Sequence, residues 1–142
     1  EYESLGAEEA LKAAARKPHE THFWLHLGAS LAARDWHEGL FGLAPLAGTD
    51  SQRYLAVSPQ HLSRARRLFA GLAGLESPYS AAEFSAGELA TIVAAGYASV
   101  AGVFGLHRFH HVEDDDARCI DPAAVTATVA AFRRLLTEAA KA

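Results

Sequence analysis

Methionine and asparagine are both absent from this chain, and cysteine occurs once, as Cys119. Without asparagine there is no N-glycosylation acceptor. A lone cysteine excludes an internal disulfide and fits a reducing compartment, so a cytoplasmic setting is expected. With no methionine at all, Glu1 is expected to be a processed or trimmed end. No basic segment followed by an apolar one opens the chain, so no signal peptide is expected within it. The glycine patterns that cradle phosphates, G-x-x-x-x-G-K-[ST] and G-x-G-x-x-G, are lacking, which leaves nucleotide binding without support. A formal net charge of −4 gives no global reason to expect a nucleic acid or an acidic membrane surface. Arg53, Arg64, Arg66 and Arg67 do not change this: on a helix Arg64 and Arg67 diverge from Arg66, and no aromatic residues interleave for base stacking.

What is present points to one folded domain. Of 142 residues, 50% are hydrophobic and 21% charged, enough to bury a core and too apolar for wholesale disorder. The longest run without a charge covers residues 89–107, LATIVAAGYASVAGVFGLH. Ser85 and Glu88 stand at capping-box spacing ahead of it, so a helix is expected to start at Ala86. Leu89, Val93, Tyr97, Val100 and Phe104 would form a bulky stripe, and Ala90, Ala94, Ala98 and Gly102 a small one. A helix apolar all round is buried or spans a membrane. The run is mostly Ala, Gly, Ser and Thr, with no second span and no flanking basic cluster, so a buried central helix is expected and no membrane. The small-residue face is suited to close packing on another backbone or on its copy in a homodimer.

Around this stretch, residues 5–17 form a helix ended by Pro18, with acids early and bases late. Residues 21–27 alternate Phe23, Leu25 and Leu27 with Trp24 and His26, which favours a strand over a continuous helix. Residues 39–52, rich in glycine, read as an irregular apolar loop. Residues 53–57 read as a strand, followed by Ser58 as N-cap and a helix over 59–75. Residues 76–84 form a linker, and 107–112 are either a strand or the end of a long helix. After the acidic turn at 113–116, Asp121-Pro122 starts a last helix with Val125, Val129, Phe132 and Leu136 inward.

The eight histidines are the compositional signal for chemistry. His22 and His26 are four apart, and His107 and His111 repeat that spacing, so each pair shares a face of a helix. With Glu38, Glu20 or Asp114 completing the set, these four histidines are candidate ligands for zinc or non-haem iron. Strands would also keep each pair on one face, and no HExxH or Cys/His zinc pattern is present, so ordinary hydrogen-bonded histidines compete with this reading. Trp36-His37-Glu38 is a candidate binding pocket, with His37 as general base. The Gly28-Ala29-Ser30-Leu31-Ala32 match to a nucleophile elbow lacks its last glycine and is better read as a small-residue helix start. Cys119 beside an acidic run is discouraged from ionising.

The expected fold is α+β and helix-dominated: about four main helices, with two or three short strands around the buried central helix. An all-α bundle is the alternative. The expected function is a homo-oligomeric binding or interaction domain without catalytic activity. The alternatives are a metal protein using His22, His26, His107 and His111, and a small enzyme with a His/Glu pocket.

Overall fold

Two stretches, residues 53–57 and 100–105, are buried along most of their length, Tyr54 being the exposed exception, and the rest of the chain is built around their pairing. In the computed structural model, which describes residues 3–28 and 30–141, the helices are α1 (Glu3–Ala13), α2 (Leu62–Leu68), α3 (Glu88–Ala94) and α4 (Pro122–Ala139). The strands are β1 (Trp24–Leu27), β2 (Arg34–Gly39), β3 (Gly42–Thr49), β4 (Arg53–Val57), β5 (Tyr79–Ser80) and β6 (Val100–Gly105). Glu1, and Ala29 within the elbow-like stretch, lie outside the described residues.

Strands β1, β6, β4 and β5 form one mixed sheet in that order, with β1 parallel to β6, β6 antiparallel to β4 and β4 parallel to β5. Side chains alternate across it, as a pleated strand requires. Leu55, Val57, Ala101 and Val103 face one side, where Ala65 and Leu68 of α2 and Ala131, Phe132 and Leu135 of α4 cover them. Ala56, Val100 and Phe104 face the other, against Leu89 and Ile92 of α3 and Leu11 of α1. The result is a sheet with helices on both faces. Strands β2 and β3 form a separate antiparallel ribbon whose turn carries the fully exposed Leu40 and Phe41.

The helix-dominated expectation is therefore corrected, and the all-α alternative with it: the chain is mixed α/β, with 37% helix and 24% strand in two sheets. The reason lies at residues 89–107. Gly96, at φ 88°, ends the helical part after α3. Residues 100–105 then become the most buried strand rather than the end of a central helix. Gly102 serves the sheet, since a Cβ there would come within 2.9 Å of Leu89 Cδ2. The expected cap at Ser85 gives way to Gly87, at φ 55°, with no side-chain cap bond.

Other expectations change in the same way. The irregular loop at 39–52 is largely the ribbon, entered through Gly42 at φ 104°. The helix after Ser58 ends at Leu68, before Gly71 and Gly74, both at positive φ. Ser58 does not cap that helix; its Oγ accepts from the amide of Val100 at 2.8 Å and ties β4 to β6. Residues 107–112 are turns rather than strand or helix, with His111 at φ 61°. The start of α4 is as expected, with Asp121 Oδ1 accepting from the amides of Ala123 and Ala124. Among the described residues no helix is long and apolar enough to cross a membrane.

Two buried polar groups lock the sheet to its helices. Arg53, 2% exposed, donates from Nε to the Ala73 carbonyl at 2.8 Å, and from Nη1 to the Leu31 carbonyl and Thr128 Oγ1. His61 is buried, with Nε2 2.7 Å from Ser99 Oγ and Nδ1 3.3 Å from Arg64 Nη1. An arginine only donates, so Nδ1 accepts and Nε2 carries the proton of a neutral ring.

Candidate functional site

Because β1 alternates, Trp24 and His26 point to the α1/α3 face while Leu25 points to the other. The Cα partner of His26 is Gly102, and a Cβ there would lie 3.1 Å from that of His26, so the glycine leaves the imidazole its place above the sheet. Tyr54 of β4 and Phe104 of β6, paired in register, emerge on the same face. With Phe84 they make an aromatic wall: ring centroids are 5.8 Å apart for Tyr54–Phe104, 5.7 Å for Tyr54–Phe84 and 5.3 Å for Phe84–Phe104.

This wall and His26 enclose a cavity of about 540 Å³, rimmed by Glu88, Gln52, His110 and His111. It is within the size range of small-molecule sites, which are mostly apolar with a few convergent polar groups. Glu88 Oε2 lies 3.8 Å from His26 Nε2, and the His26 side chain is only 16% exposed. Burial lowers the His26 pKa below the ordinary imidazole value, and the charge of Glu88 partly opposes that. The ring is thus neutral near pH 7, able to accept a proton that the nearby carboxylate then helps to hold. The His110 and His111 rings stack at 3.8 Å across the rim.

The histidines named from spacing do not form one site. His26 and His111 line this cavity; His22 is exposed on the loop before β1, and His107 is turned inward with Nε2 3.4 Å from Asp115 Oδ2. Among the described residues no group of three or more His, Cys, Asp or Glu could hold a metal ion, which corrects the zinc or iron reading. The candidate pocket at Trp36-His37-Glu38 is dispersed along β2: the Trp36 ring packs on Phe109 at 5.0 Å, His37 is exposed, and Glu38 pairs with Arg108 at 3.0 Å. Glu88, Tyr54, Phe84 and Phe104 were not singled out from sequence as site residues. Their signal, alternation of β4 and β6 onto one face, needs the strand pairing to be known first.

Neither a family model, nor a curated protein, nor a solved structure matches the chain. The geometry alone carries the reading of this site.

His26 and His61 also set a pH dependence. Burial lowers both pKa values, and Arg64 lowers that of His61 further. The unfolded chain therefore binds more protons than the folded one just below the ordinary imidazole pKa, so stability is lost as the pH drops through that range. Thermal unfolding is expected at a lower temperature at about pH 5 than at about pH 7.5, with most of the drop beginning near the ordinary value of about 6.5. The double variant His26→Gln/His61→Gln should flatten this slope. Asp121, lowered chiefly by its bond from the Ala124 amide, acts in a more acid window. A melting temperature that rises on acidification would contradict this assignment.

Proposed function

We propose that this domain binds a small planar organic molecule bearing a weakly acidic hydroxyl, of the phenol type, in the cavity beside His26. The observation that carries this is a neutral, largely buried imidazole sharing a cavity with an aromatic wall, with a carboxylate 3.8 Å from it at the rim. The planar body packs against Tyr54, Phe84 and Phe104, where aromatic contacts add to burial. The hydroxyl meets His26, which accepts its hydrogen bond, and Glu88 favours the partial positive charge this draws onto the ring.

Calorimetric titration with para-ethylphenol and with its methyl ether tests the reading. The phenol is expected to bind about tenfold more tightly than the ether, the worth of one hydrogen bond. His26→Gln should shrink that preference, and Phe84→Ala should weaken both compounds. Equal affinity of the two compounds, or no binding by either, contradicts the proposal.

A second reading concerns assembly, and the observation favouring it is the ribbon tip. Leu40 and Phe41 are fully exposed, Leu43 and Leu46 are 40% and 42% exposed, and β3 carries no charge. The base is held firmly, with Arg34 Nη2 on the Ile120 carbonyl at 3.1 Å and Thr49 Oγ1 on Asp121 Oδ2 at 3.1 Å. We infer that two copies meet arm to arm across a two-fold axis, burying these tips. Sedimentation across a concentration series should show a dimer that Leu40→Ser/Phe41→Ser converts to monomer. A parent chain that stays monomeric throughout would remove this reading. A cytoplasmic setting is proposed with it, since the one cysteine is buried and unpaired.

A further inference from the structure

Gln52 and Leu106 line the large cavity and also a second one beside it, of about 320 Å³, whose other walls are Asp35, Trp36, Asp50, His107 and Arg108. The two cavities therefore adjoin across these two residues but differ in chemistry. The first is walled by aromatic rings; the second is mostly polar.

The charges of the second cavity do not cancel within it. Arg108 is taken by Glu38 at 3.0 Å, and His107 by Asp115 at 3.4 Å. Among the described residues neither Asp35 nor Asp50 has a cation within 4.0 Å, although Asp50 is only 9% exposed. Arg53 feels Asp50 through space, but its hydrogen bonds go to two carbonyls and Thr128. Each carboxylate accepts at Oδ1 from a backbone amide at 2.8 Å, Asp35 from Trp36 and Asp50 from Gln52. The Trp36 indole is propped edge-on by Phe109, and its Nε1 is buried without an acceptor among the described residues. A nearly buried carboxylate favours a cationic partner, and an indole beside it adds attraction for that cation.

We propose that the second cavity takes a small organic ammonium group, with Asp35, Asp50 and Trp36 as its recognition residues. This rests on the phenol reading of the larger cavity: the ligand of the whole cleft is then an aromatic body that reaches past Gln52 and Leu106 with a cationic tail.

Calorimetric titration of the full chain with tyramine and para-ethylphenol tests this, since the two differ by the terminal ammonium alone. Tyramine is expected to bind about tenfold more tightly. Asp50→Asn and Asp35→Asn keep the oxygen that accepts from the backbone and remove the charge. Each should bring tyramine towards the affinity of para-ethylphenol and leave para-ethylphenol unchanged. Equal affinities in the parent chain, or a preference that survives in both variants, would overturn the ammonium site and leave the phenol reading standing. Binding of neither compound would overturn both.

Discussion

Replacing Arg53 with methionine is expected to destabilise the fold by about 3 kcal/mol, or roughly 10 °C in melting temperature for a chain of this size. Methionine fills much of the volume but donates nothing. The carbonyls of Ala73 and Leu31 and the hydroxyl of Thr128 would lose a buried donor. Asp50, Glu76 and Asp121 would also lose the positive charge whose proton they help to hold; burial alone lowers the Arg53 pKa, and these three oppose it. Arg53→Lys should recover only part of the loss, because one ammonium cannot reach all three acceptors that the guanidinium spans. Urea unfolding checks this; a methionine variant within about 1 kcal/mol of the parent would mean that the buried guanidinium is not a keystone.

Gly105→Ala is expected to cost a similar amount, about 3 kcal/mol, by overpacking rather than by loss of a bond. Gly105 is the last residue of β6 and the register partner of Arg53 on β4. A Cβ there would press into the carbonyl oxygen of Gln52 and stand 2.9 Å from Arg53 Cα and 3.2 Å from Ser30 Cβ. Two of those neighbours are backbone, so relief requires β4 and β6 to part where the cavity is walled by Tyr54 and Phe104. The variant should therefore lose both stability and affinity for para-ethylphenol. Full retention of both would show that this corner yields easily. The contrast with an exposed glycine is instructive: a Cβ on Gly48 would meet nothing within 4 Å, and Gly48→Ala should leave stability unchanged.

Local signals in the sequence reported local structure well. The strand at Arg53–Val57 stands out by its β-forming residues, and Asp121-Pro122 marks the start of α4 because cap and proline act within one turn. The face of α4 is offset: Thr128, Ala131 and Leu135 join Phe132 in the interior, in place of Val125, Val129 and Leu136. Strand β6 was read as helix because a strand covered on both faces has no polar alternation to display. Its small residues also fit a helix stripe, and only Gly96 marked the break. The ribbon was read as a loop because its turn, Leu40-Phe41 before Gly42, lacks the Asn-Gly or Asp-Gly signature. The site was half legible. Spacing points to His26 and His111, yet Glu88 reads only as a cap, and Tyr54 and Phe104 meet through β4–β6 pairing across about a third of the chain.

The most direct test of the account is to map where para-ethylphenol binds, by following amide, aromatic and imidazole resonances during a titration. Resonances of His26, Gln52, Phe84 and Phe104 are expected to move together and saturably, with the His26 ring titrating below the ordinary imidazole value before ligand is added. Shifts confined instead to the groove of Leu11, Ala90 and Ala94 between α1 and α3, or a His26 ring protonated at neutral pH, would contradict it.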